Sequence, residues 1–156
     1  GLLYHSFGDF GAAFGTWMTN IEHQLMHERL GDTYLMNNTY CETEVVKTTD
    51  DKFQFKKGGT VEKFGEPYNG RGVVKGTDAE KPLGEWNTVD LYCFGSTSAH
   101  VVNGKVVMIN KNNSKIEDGK LIPLEKGKIQ IQSEGAELFV RKVEIEKIKE
   151  IPQGLL

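Results

Sequence analysis

Between Ala99-His100-Val101-Val102 and Lys105-Val106-Val107-Met108-Ile109 stands the dipeptide Asn103-Gly104. Asn-Gly supplies the two positive φ angles of a type I′ turn, whose twist matches that of the flanking strands, so this stretch specifies an antiparallel hairpin. Just upstream, residues 86–94 alternate Val89, Leu91 and Cys93 with Thr88, Asp90 and Tyr92. That is the period-two pattern of a strand with one buried face, giving three consecutive antiparallel strands. Eighteen glycines, with Gly-Gly and Asp-Gly pairs between short apolar runs, extend the same punctuation along the chain. The fold class is all-β.

Several classes of function fall away on composition. A chain of 156 residues makes one domain that buries roughly two-thirds of its unfolded surface without covalent staples. No boundary or internal repeat divides it. No apolar run reaches the length of a membrane span. The net charge of −3, with Lys and Arg scattered among acids, lacks the footprint of a nucleic-acid binder. Cys41 and Cys93 sit among β-formers and read as two buried free thiols, although nothing in the sequence fixes their separation. His5, His23, His27 and His100 have no cysteine at zinc-finger spacing, so no structural metal cage is expected. The chain opens on Gly1-Leu2-Leu3-Tyr4-His5, as though inside a strand and without a basic-then-apolar leader, and reads as a truncated or processed piece.

Elsewhere the readings are less uniform. Lys128-Ile129-Gln130-Ile131-Gln132 alternates as a strand, Gly135 breaks it, and residues 138–148 read as a further strand carrying Phe139, Val143 and Ile145 among charges. Residues 110–126, with Asn112-Asn113-Ser114 and Asp118-Gly119, read as a polar surface connection. Residues 48–68 read as an excursion or small hairpin around Phe53-Gln54-Phe55. In residues 17–30, Trp17, Ile21 and Leu25 step by four as on a helix that Gly31 would end. Read as a strand instead, the same stretch sends Glu22, Gln24 and Met26 to one face and Ile21, His23 and Leu25 to the other. In a helix Glu22 and Gln24 would lie about 200° apart and could not cooperate.

Five pieces in order carry a resemblance. They are Gly1-Leu2-Leu3-Tyr4-His5; Trp17-Met18 leading to Glu22-His23-Gln24 and Gly31-Asp32; Lys81-Pro82-Leu83-Gly84-Glu85-Trp86-Asn87; His100-Val101-Val102-Asn103-Gly104; and Gln132-Ser133-Glu134-Gly135 followed by Phe139-Val140-Arg141. Together they resemble the 3-keto-disaccharide hydrolase family of secreted bacterial proteins. The resemblance implies a concanavalin A-like jelly roll, a β-sandwich whose concave face meets a sugar, and it makes residues 17–26 a strand. Family members usually carry Asn-Ser before the opening glycine and further strands before that. Their absence implies an incomplete sheet, with an exposed edge open to self-association. It also implies a periplasmic or secreted setting.

The chemistry that goes with the resemblance is elimination. A ketone at C3 acidifies the hydrogen on C2, a base removes it, the glycosidic oxygen leaves C1, and water adds back. Such a site needs a base, donors for the enolate oxygen and an acid for the leaving group. Glu22 and His100 are the candidates for base and acid, each expected on a strand face with polar neighbours. Gln24, Gln132 and Glu134 are expected on the same face, and His5 and Arg71 as ligands for sugar or enolate oxygen. Trp17 and Trp86 read as core rather than sugar platforms, and Arg141 as a residue along the sheet edge. No cofactor is expected; a divalent cation has only Asp9, Asn20 and Asp32 as possible ligands, in no recognisable cage. A conventional retaining glycosidase is disfavoured, because Glu22 and Glu28 on one strand would stand roughly 20 Å apart. The rival reading is a carbohydrate-binding module without catalysis, and a third is a purely structural domain.

Overall fold

The computed structural model describes residues 1–156. Its Asn103-Gly104 turn has φ of 49° and 77° and joins β9 (Thr97–Val102) to β10 (Lys105–Glu117). The strand β8 (Val89–Phe94) pairs antiparallel with β9 in continuous register from Val89 opposite Val102 to Phe94 opposite Thr97. Asn103 secures this corner from both ends of its amide. Its Oδ1 accepts from the Thr88 backbone N–H at 2.9 Å, and its Nδ2 donates to the Ala79 carbonyl at 2.8 Å.

Around this meander the chain builds two antiparallel sheets packed as a sandwich. β4 (Thr39–Lys47) pairs with β10, with β5 (Phe53–Phe55) and with β6 (Thr60–Phe64), so residues 48–68 do form a small hairpin-like excursion. With β11 (Lys120–Pro123) on β10, this sheet has seven strands. The second sheet runs β12-β1-β2-β3-β7, from β12 (Lys128–Ile131), β1 (Leu2–Phe7), β2 (Thr19–His23), β3 (Thr33–Met36) and β7 (Gly72–Val73). The helical option for residues 17–30 is therefore not taken. The strand is five residues long, because Ile21 fills the core between Tyr4 and Leu35 while the residues after His23 turn away.

The core draws Tyr4, Ile21, Leu35 and Val73 from the five-stranded sheet and Cys41, Val45, Phe55, Phe64, Ala99, Met108 and Ile109 from the other. Cys41 is buried and Cys93 half-buried, both as free thiols. Running through this interior is a polar network. The Tyr4 hydroxyl lies 2.8 Å from Ser98 Oγ and 3.0 Å from His100 Nε2, Asn110 Nδ2 donates to Thr33 Oγ1 at 2.8 Å, and Asn113 Nδ2 donates to Ser98 Oγ at 3.0 Å. Buried polar groups need such partners, and here they tie one sheet to the other.

Two segments differ from expectation. Residues 110–126 are not a surface connection: β10 continues to Glu117, turns at Asp118-Gly119 and returns as β11. Asn112, with φ of 52°, sits where the register shifts between Lys111 and Ser114, and this bulge buries Asn110, Asn113 and Ser114. Their side chains enter the core because they are hydrogen-bonded there. Residues 138–148 form no strand. Phe139, Val143 and Ile145 lie exposed, Ile145 to 85%. Alternation makes a strand only where an edge is at hand to pair with it, and this segment runs over the surface with Arg141 stacked 4.0 Å from the Trp86 ring.

Candidate active site

The strand alternation of β2 that sends Ile21 into the core turns Glu22 to the outer face of the five-stranded sheet. There it stands between Leu3 of β1 and Tyr34 of β3. The connection between β1 and β2 folds over this face. Ala13 packs with Leu3 and Met36, and Trp17 and Tyr34 pack against that cluster. The Phe14 ring meets Trp17 edge-on at 6.3 Å. A cavity of about 570 Å³ results, lined by Phe14, Trp17, Tyr34 and Met36 together with Thr16, Glu22, Gln24, Arg29, Asp32, Thr33 and Glu134. Aromatic and apolar side chains with a few placed polar groups are the usual make-up of a small-molecule site.

Glu22 is 2% exposed, and its Oε1 has no hydrogen-bond partner. A Cβ at Gly1 would stand 2.1 Å from that oxygen, so the carboxyl group occupies the space that a side chain at position 1 would fill. Burial raises the Glu22 carboxyl above the usual carboxylate range. The charge of Glu134 pushes the same way, while Arg29 and the Gln132 amide oppose it. The outcome is an acid shifted toward neutrality on a cavity floor, the condition of a general base.

The turn between β2 and β3 supplies Gln24, Arg29 and Asp32 to the lining and is pinned at several points. Gln24 Oε1 accepts from the Leu25 and Met26 backbone N–H groups at 2.9 and 3.0 Å. Glu80 accepts from the Glu28 backbone at 2.8 Å and pairs with His27 at 2.7 Å. Arg29 Nε donates to Asp32 Oδ2 at 3.1 Å, and Asp32 Oδ1 accepts from the Lys75 backbone N–H at 2.9 Å. The guanidinium is thus held by one edge. No three His, Cys, Asp or Glu side chains converge in a metal-binding group.

Of the residues expected at the site, Glu22, Gln24 and Glu134 line the cavity, and Gln132 lies against Glu22. His100 does not share the Glu22 face. It is fully enclosed between the sheets, bonded to Tyr4 and 3.1 Å from the Gly31 carbonyl, and stacked on His23 with ring centroids 4.1 Å apart. Its polar neighbours exist, as its strand pattern implied, but they are interior ones. Burial pulls its imidazole down to about 4. His5 sits at a bulge of β1 with φ of 50°, which turns it out of step with Leu3 and leaves it buried away from the cavity. Arg71 pairs with Glu66 and lies 4.8 Å from the Phe14 ring, and it does not line the cavity itself.

Trp17 is a wall of the cavity rather than core, and Trp86 is an exposed surface residue. Sequence reasoning passed over Arg29, Phe14 and Tyr34. Tyr34 had a legible signal, since it alternates with the core residue Leu35. Arg29 had none, because only the folded turn brings it round.

Residues 1–146 match the family model described as the 3-keto-alpha-glucoside-1,2-lyase-like domain. No curated protein and no solved structure matches the chain.

Proposed function

The chain belongs to the 3-keto-alpha-glucoside-1,2-lyase-like family, and from that premise we propose that it cleaves 3-keto-glycosides by elimination, with Glu22 as the base. Glu22 takes the proton from C2, and the C2–H electron pair moves into an enolate across C2, C3 and the C3 oxygen. The enolate collapses, the C1–O bond breaks, and the departing oxygen collects a proton, leaving a C1=C2 double bond conjugated to the C3 ketone. Addition of water across that bond completes hydrolysis. In this reading the leaving oxygen takes its proton from water, and Glu134, which lines the cavity beside Glu22, acts on the base through its charge. His100 has no path to the cavity and supports the fold instead.

One observation carries the proposal: a buried carboxyl group, raised by its burial, lines a cavity together with the aromatic rings of Phe14, Trp17 and Tyr34. A sugar ring presents apolar C–H faces, so Trp17 and Tyr34 give it a surface to lie on while its polar edge meets the carboxylate. The test compares the protein with Glu22→Gln on 3-keto-glucosides and on the matching unoxidised glucosides, following aglycone release by chromatography. Release from the keto substrates alone, lost in the variant, is the expected result. Sugar binding without release from either would make the chain a lectin-like module.

A further inference from the structure

We infer that Arg29 is the electrophile that polarises the C3 ketone and holds the enolate oxygen, and that the cavity accordingly selects neutral keto-sugars over anionic ones. The inference deepens the elimination reading above and rests on it. The reaction needs a donor for a charge that grows on the C3 oxygen, and the cavity has a single cation, Arg29. Its Nε is engaged by Asp32, which is anchored in turn by the Lys75 backbone, so the guanidinium, 57% exposed, is held by one edge and keeps its two terminal nitrogens free of protein hydrogen bonds. The turn that carries it is tied down through Gln24 and Glu80. A donor already held by one edge needs less reorganisation when the charge arrives than a free side chain does.

Charge counting separates this role from simple anion binding. Glu22, Asp32 and Glu134 set three carboxyl groups against one guanidinium in the cavity lining. A substrate with a permanent negative charge enters a site already short of positive charge. The enolate does not add to that burden, because its negative charge appears as Glu22 is neutralised by the C2 proton. Arg29 then serves a charge that moves from Glu22 to the substrate and is absent from the free ligand. An interaction made chiefly in the transition state shows in kcat rather than in KM.

The test uses the full chain and Arg29→Ala, Arg29→Lys and Asp32→Asn, with near-UV circular dichroism as the check on folding. Two rates are read on neutral 3-keto-glucosides: exchange of the C2 hydrogen in D2O by NMR, which reports enolate formation alone, and aglycone release. Arg29→Ala is expected to lower kcat for both about 100-fold or more with KM within a few-fold. Arg29→Lys should recover part of the loss, and Asp32→Asn should lie between Lys and wild type. A 3-keto-glucuronide should react at least 10-fold more slowly in kcat/KM than the neutral glucoside, the gap narrowing in Glu134→Gln. Loss in KM alone, or an Arg29→Ala variant as fast as wild type, overturns the role of Arg29 while leaving elimination standing. A glucuronide preferred over the neutral sugar makes Arg29 an anion-binding residue. Wild-type protein that neither exchanges nor releases overturns the elimination reading and this inference together.

Discussion

At the scale of single residues, the environment of Glu22 makes a prediction that does not depend on the identity of the sugar. Burial and the neighbouring charge of Glu134 both disfavour its ionised form, so its carboxyl group titrates above the ordinary range. A base acts only when deprotonated; kcat/KM should therefore fall as the pH drops through that raised value, and the acid limb should lie above the pH of an exposed glutamate. Replacing Glu134 by Gln removes a repulsive charge, eases ionisation of Glu22 and should move the limb to lower pH. A limb that stays in place in Glu134→Gln, read from kcat/KM across pH, would mean that Glu134 does not act on the base. Glu22 was legible through the resemblance, which made residues 17–26 a strand and so put Glu22 and Gln24 on one face, where periodicity alone also offered a helix. His100 obeyed the same rule of alternation and was misplaced by it, because period two says which residues share a face and not whether that face looks into solvent or into a polar interior.

At the scale of elements, β10 shows where such patterns stop being readable. Its first half is announced by Asn103-Gly104, while its second half, Asn110 to Glu117, is polar enough to pass for a loop. The bulge at Asn112 breaks period two, and Asn110 enters the core with Thr43, Thr33 and Tyr4 around its amide. Removing that amide strands several buried partners at once. Asn110→Ala should destabilise the fold by about 2–3 kcal/mol, seen as a lower urea midpoint with an unchanged slope. A change under about 0.5 kcal/mol would mean that the network is ornamental to stability. Residues 138–148 make the opposite point. Their alternation is as regular as that of β12, yet a strand is a property of a pair of edges, and no local pattern records whether a second edge is within reach.

At the scale of the whole molecule, the two sheets are joined through a core containing two stacked imidazoles, His23 and His100, and that construction ties the fold to pH. Burial lowers both, His100 to about 4 and His23 well below its ordinary value, with the His100 charge adding to the effect on His23. In the unfolded chain each titrates near 6.5. Below about 6.5 the unfolded state binds protons that the folded state refuses, so stability falls as the pH drops, for His100 down to about 4. For His100 alone, lowered from 6.5 to about 4, the loss is roughly 3 kcal/mol. Glu22 works in the other direction, since a carboxyl group raised by burial favours folding once it is protonated, and it offsets part of the loss. Urea midpoints should accordingly fall between pH 7.5 and 4.5, and a His100→Gln variant should start lower but decline less steeply. Equal slopes for the two proteins would show that the acid sensitivity arises elsewhere. The same pair of curves separates two causes of lost activity in acid. Protonation of Glu22 silences a protein that still shows its near-UV signature and recovers at once on neutralisation, whereas protonation of the imidazoles removes the sheet on which Glu22 stands.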